Sequence, residues 1–376
     1  MKQLLWGVVL AVGLSGCSLF SSKKTVEPTP LQALKPSVEV TQLWRGSVGE
    51  TADAALRPAL VGDALYAVGA EGSLTRTEFG RESWRVRAAR RVTAGVAADG
   101  ERVIVGSGDG VVLAFDAKTG KELWKAPVTG EPVGAPLIAD GMVITRVGDN
   151  QLIAHALVDG KRRWIYQRSQ AALSLRGQIG MTRVGELLIA GFSGGKLVAV
   201  TLAAGMPRWE ASVAIPRGSN EIERLADLVA DPVVRGESVC VAAYQGRVAC
   251  VEPQRGVVQW TRDIGSSAGL DLDDRQVYVT EDTGAVTALD VRTGATAWRQ
   301  DKLLNRGSGR PLVAGEHVAV ADSLGWLHVM KRSDGQFVGR LELDSSGVSA
   351  PLLAYDGRIV AQSRRGYVYV INLKNL

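Results

Sequence analysis

The sequence predicts an all-β protein: an eight-bladed β-propeller of four-stranded antiparallel blades, its ring closed by the N-terminal strand. Three observations carry the prediction. A unit recurs with eight starts 38 to 51 residues apart, the spacing of propeller blades. Within the unit, residues alternate with the period of a strand. Turn-forming residues stand at fixed offsets between those strands.

From the N-terminus, Lys2 precedes an apolar stretch over residues 4–13 that is too short to span a bilayer. It runs into Leu14-Ser15-Gly16-Cys17, so residues 1–16 are expected to be a signal peptide. A Cys directly after Leu-Ser-Gly looks like a bacterial lipobox, which implies lipidation of Cys17. Each methylene of an acyl chain buried in lipid contributes about 0.8 kcal/mol to such an anchor. Ser18, a residue other than Asp after the cysteine, resembles the sorting pattern of outer-membrane lipoproteins of Gram-negative bacteria. Residues 17–38, with Lys23, Lys24, Pro28, Pro30 and Pro36, have the composition of a flexible tether. Residues 39–376 are then the propeller, expected on the periplasmic side, where disulfides are allowed.

The repeat unit is Gly, an apolar residue at +2, a small one at +4, Gly at +10 and Trp at +14. Gly110, Val112, Ala114, Gly120 and Trp124 fit it, as do Gly195 to Trp209 and Gly284 to Trp298 at the same offsets. Cys250 takes the small slot between Gly246 and Trp260, and Asn150 replaces the first glycine of the unit ending at Trp164. Three copies are worn. The copy at Gly72 is two residues short, Gly339 stands where Trp is expected after Gly325, and the copy opened by Gly366 is cut off at Leu376. Asp116 to Gly120 and Asp290 to Gly294 supply turns, the Asp bonding to its own following backbone. Pro58, Pro136, Pro232, Pro311 and Pro351 are expected to open innermost strands. Asp99-Gly100, Asp140-Gly141 and Asp356-Gly357 mark the hairpins that follow. The last copy lacks its Trp strand, and Leu43-Trp44-Arg45 supplies an orphan one, so residues near 40–48 are expected to close the ring.

Composition excludes several functions. With 46% hydrophobic residues in short runs and a mean hydropathy of +0.06, this is not a polytopic membrane protein. A net charge of +5, from 44 basic and 39 acidic residues without clustering, is no nucleic-acid footprint. Three histidines and three cysteines leave little for a metal site or for Cys/His catalysis. His155, His317 and His328 are expected to pack in or beside strands. Cys240 and Cys250 flank a hairpin; an odd-length loop would set them face to face and a two-residue loop would offset them, leaving disulfide and buried thiols both open. Two connections following Trp strands, over 165–180 and 211–231, are long and fall on the same face of the ring, the usual form of a binding surface.

The Ala-x-Asp-x-x-Thr-Gly-x-x-x-Trp pattern over 114–124 and 288–298 resembles the repeat of quinoprotein dehydrogenases, whose propellers hold a quinone and a calcium ion. This chain has no adjacent cysteine pair and no convergent calcium ligands. A lipobox joined to eight such repeats, with Leu173-Ser174-Leu175-Arg176-Gly177, the segment 221–227 and Asp344-Ser345-Ser346-Gly347, instead resembles the BamB family of the outer-membrane β-barrel assembly machinery. That resemblance implies a non-enzymatic scaffold lipoprotein without cofactor, facing the periplasm, that promotes folding and insertion of outer-membrane β-barrel proteins. It also implies docking onto the POTRA domains of BamA through Leu173, Leu175, Arg176 and Asp227. A further acidic position of the family falls on Val229 here. Other members of the assembly complex are implied partners, and unfolded outer-membrane proteins are admitted by strand addition at a blade edge. A quinone-binding or other ligand-binding periplasmic propeller is the alternative that the repeat alone leaves open.

Overall fold

The computed structural model describes residues 27–51, 54–78, 80–148, 150–169, 175, 180–215, 225–348 and 350–376. Among them the chain forms thirty-two strands and no helix, arranged as eight four-stranded antiparallel sheets in a ring. Blades are numbered along the chain and their strands lettered A to D from the centre outward. Blades 1 to 7 span residues 59–87, 92–127, 132–167, 181–212, 233–262, 270–300 and 312–342. Blade 8 takes strands A to C from residues 353–375 and strand D from Val38–Ser47, which pairs antiparallel with Tyr367–Asn375. The ring is therefore closed by the N-terminal strand, as Trp44 suggested.

The core is not one central mass but a seam between each pair of neighbouring blades. Leu188, Ile144 and Trp164 fill the seam of blades 3 and 4; Val48, Leu65, Val360 and Val368 fill the closing seam of blades 8 and 1. The repeat Trp and the repeat Gly are the two halves of one such contact. Trp84, Trp124, Trp164, Trp209, Trp260 and Trp298 each donate their indole N–H to a turn carbonyl of the next blade, at 2.7–3.1 Å. Each ring covers the +10 glycine of that same turn. A Cβ on Gly120, Gly160, Gly205, Gly256, Gly294 or Gly335 would stand 2.5–2.9 Å from the indole, and Gly80 bears the same relation to Trp44 across the closing seam.

Gly160 illustrates why Gly is required twice over, since its φ of +71° adds backbone strain for any L side chain. Gly141 has the same φ of +71° but open space where a Cβ would go. Gly141→Ala is expected to lose only the backbone part, about 1–2 kcal/mol. Gly160→Ala should lose about 1–3 kcal/mol more through overpacking against Trp124. Urea unfolding of the two variants checks the difference, and equal midpoints would reject the Trp–Gly contact as a source of stability.

Gly339, which stands in the Trp slot of blade 7, now has a cause. A Cβ there would meet Val40 Cγ2 at 2.6 Å and Val38 O at 2.9 Å, so the slot is filled by the closing strand instead of by an indole. The turn aspartates do what their spacing predicts: Asp116 Oδ1 accepts from the N–H of Lys118 and Thr119 and from the Thr119 hydroxyl, and Asp290 repeats the set. Hydrogen bonds from Thr119 and Thr293 hold the two carboxyls below the ordinary range. Pro58, Pro232 and Pro311 directly precede strand A of their blades, and Pro351 stands two residues before that of blade 8. Pro136 corrects the pattern. It lies inside Pro132–Ala139, where the pairing skips from Val133 to Leu137, so its missing N–H falls at a break in the ladder.

Two further features were open or different in the sequence. The connection between strands B and C of blade 5 is residues 243–247, an odd length, so Cys240 and Cys250 stand directly opposite and are joined as a disulfide. Closing so short a loop restrains the unfolded chain by about 3 kcal/mol. The expected tether is bonded to the ring over its second half. Thr29 N–H donates to Leu304 O at 3.0 Å and Ser37 N–H to Val338 O at 2.9 Å, so residues 29–37 lie along blade 7.

Candidate partner-binding face

Connections from strand D to the next strand A, together with the B-to-C turns, emerge on one side of the ring, here the D–A face. Two of the D–A connections are long, residues 168–180 and 213–232. Leu173, Arg176 and residues 216–224 lie outside the described residues, as does Cys17. Leu175 and Asp227 are described, and they meet. The Leu175 N–H donates to Asp227 Oδ2 at 2.7 Å, and the Gly194 N–H donates to Oδ1 at 2.8 Å. The Asp227 carbonyl accepts from Tyr244 N–H at 3.0 Å. Asp227 is only 2% exposed. It thus ties together both long connections and the B–C turns of blades 4 and 5. Its carboxylate is occupied inside the protein, so it orders the face from below.

Arg146 lies beneath this junction, on strand B of blade 3. It is fully buried, its guanidinium donating to Gly191 O and lying 4.5 Å over the Phe192 ring. Burial pulls it down to about 9, opposed by the negative charge of Asp227, so it stays cationic at neutral pH. The charge of the carboxylate thus offsets part of the cost of burying the guanidinium. Sequence reasoning missed Arg146. The available sign was a charged residue, Arg146, inside the fully buried strand Met142–Val147.

A cavity of about 390 Å³ opens beside Leu175. Its walls include Val229, Tyr244, Val348, Pro351 and Leu352, and its polar side is Asp231 and Arg310. Val229 is buried and contributes apolar wall. Asp231 accepts from Arg57 at 2.8 Å and lies 3.6 Å from Arg310, which is 3.8 Å from Asp271. Arg57 comes from the connection entering blade 1 and Asp231 from that entering blade 5, so this pair bridges opposite sides of the ring. Asp344 organises the connection into blade 8, accepting from Ser346 N–H at 2.9 Å and from the Ser363 hydroxyl at 2.6 Å.

These residues do not fit a quinone and calcium pair. The acids beside the cavity, Asp231 and Asp271, are engaged by Arg57 and Arg310, and the turn aspartates are saturated by their own backbone. Among the described residues no group of three His, Cys, Asp or Glu is placed to hold a metal ion.

The family model described as outer membrane protein assembly factor BamB matches residues 70–300 and 283–376. The chain belongs to the BamB family. The outer membrane protein assembly factor BamB of Burkholderia pseudomallei is 37% identical over 358 residues, covering 94% of this chain and 93% of that protein. Its Escherichia coli counterpart is 31% identical over 386 residues, covering 98% of each. The crystal structure of BamB from Moraxella catarrhalis shares the fold with a TM-score of 0.83 at 24% identity, covering 89% of this chain and all of that one. A quinohemoprotein alcohol dehydrogenase from Comamonas testosteroni superposes with a TM-score of 0.68 at 14% identity, covering 88% of this chain and 76% of that one, which is likeness of fold alone. In this BamB-family propeller, Leu175 and Asp227 are thus brought together on one face by the chain's own packing.

Proposed function

We propose that this protein is a non-catalytic scaffold lipoprotein of the outer-membrane β-barrel assembly complex, anchored through Cys17 and binding BamA through its D–A face. Membership of the BamB family along nearly the whole chain is the observation that carries the reading. The geometry supports it. The two long connections share one face, and Asp227 fixes Leu175 at the rim of an apolar cavity. Leu175, with Leu173 and Arg176 beside it in sequence, offers the apolar-plus-arginine composition of an interface anchor. The disc acts by holding BamA and its companions close to one another near the membrane, raising their effective concentration without covalent chemistry.

A tagged pull-down from gently solubilised outer membranes tests this. Wild type should recover BamA, and the Leu175→Ala/Arg176→Ala variant should lose at least tenfold of it while unfolding at the wild-type temperature. Equal recovery by both chains would remove these residues from the interface. Absence of BamA from both would remove the function.

A further inference from the structure

Blade 7 departs from the repeat in three ways at once. Its Trp slot holds Gly339. Its core contains a buried polar chain, with His328 and Asp322 fully buried and Arg306 5% exposed. Its outer side carries residues 29–37, with Thr29, Leu31 and Leu34 half-buried and exposed residues between them.

The polar chain and the strap are one assembly. Asp322 Oδ2 accepts from Arg306 Nε at 2.7 Å and bonds His328 Nε2 at 3.0 Å. Asp322 Oδ1 accepts from the N–H of Leu324 at 3.0 Å and Trp326 at 2.9 Å. His328 Nδ1 accepts from Arg340 Nε at 3.3 Å, which makes Nε2 the protonated nitrogen and donor to Asp322. Burial holds this imidazole below its ordinary range against the pull of Asp322. Each arginine also donates one hydrogen bond to the strap. Arg306 Nη1 donates to Thr29 O at 3.0 Å, and Arg340 Nη1 to Gln32 O at 3.2 Å. Arg340 is further held between the rings of Trp326 and Phe337, 6.0 Å from each centroid.

We propose that this cluster is a clasp that decides which face of the disc the membrane tether leaves from, and so turns the D–A face toward the bilayer. The path of the strap carries the inference. Thr29 is bonded to Leu304, in the connection from blade 6 to blade 7, which belongs to the D–A face. Ser37 lies at the other end, where Val38 pairs with Asn375 and Leu376 N–H donates to Ser37 O. With the clasp closed the chain departs beside the D–A face. With it open the same chain would depart from the C–D side. With the clasp closed, eleven residues, 18–28, separate Cys17 from the ring in place of the twenty of 18–37, a maximal contour of about 40 Å in place of about 70 Å. Arg306 and Arg340 are positioning residues for this orientation. The orientation rests on the proposed lipid anchor at Cys17; the clasp itself does not.

Two measurements on the full-length lipoprotein test it. Nitroxides on Ala33→Cys and Lys302→Cys should give one narrow distance distribution, broadened at least twofold by Thr29→Pro, which removes a donor, and by Arg340→Gln. A broad distribution without those substitutions would overturn the clasp. In phosphatidylethanolamine–phosphatidylglycerol vesicles containing an acceptor lipid, a dye on Leu324→Cys, at the D–A end of blade 7, should transfer more energy than one on Asp334→Cys at the opposite end. Thr29→Pro should abolish that difference or reverse it. Equal transfer without that substitution would overturn the orientation. Failure to bind vesicles at all would overturn the anchor and the orientation with it, while the distance measurement still judges the clasp. BamA is absent from both assays, so failure of the partner reading registers separately in the pull-down.

Discussion

A chain lacking residues 38–47 is expected to lose cooperative folding rather than one blade. Strand D of blade 8 is that segment, and without it Tyr367–Asn375 becomes an unpaired edge. Trp44 leaves Gly80 uncovered, and the apolar seam between blades 8 and 1 opens to water. Val38 and Val40 also leave the Gly339 slot of blade 7 empty. Three contacts that hold the ring thus vanish together, at a cost comparable to the about 5–15 kcal/mol that keeps a typical domain folded. Calorimetry should show a broad, low transition in place of the wild-type peak, and a peptide of residues 27–47 added in trans should restore part of it. A wild-type midpoint in the deleted chain would show that closure contributes nothing.

The second large effect is expected at Asp227. Replacement by Ala leaves two N–H donors without an acceptor, at a cost of about 1–3 kcal/mol each, and removes the negative charge that opposes the burial of Arg146. Leu175 loses the bond that sets its position. BamA capture is therefore expected to fall at least tenfold, although the carboxylate itself is buried. Asp227→Asn keeps the shape and one acceptor oxygen, and should fall between wild type and Asp227→Ala in both thermal midpoint and capture. Unchanged capture by Asp227→Ala at a temperature where the variant is folded would show that the loop is positioned without it.

Much of this fold is legible in the sequence because a blade is built from local pairings. Strand, turn and strand follow one another within each unit, so alternation, the Asp-x-x-Thr-Gly turn and the Trp at a fixed offset suffice to define it. Even the closing strand could be found, since an orphan Trp44 and a final copy without its Trp are complementary defects in one period. The role of Gly339 could not, because what fills its slot is Val38 and Val40, some three hundred residues away in sequence.

What the sequence alone determined is the eight-fold repeat, the strand pattern, the position of the closing strand and the face on which the long connections gather. Family resemblance supplied Leu173, Leu175, Arg176 and Asp227, but not how Asp227 acts. Only the tertiary structure made Asp227 an internal acceptor over Arg146, joined Arg57 to Asp231 across the ring, and laid residues 29–37 along blade 7. The physical reason is common to all three. Each is a bond between groups far apart in sequence, and nothing in local periodicity specifies which distant carboxylate, guanidinium or carbonyl will meet once the ring has closed.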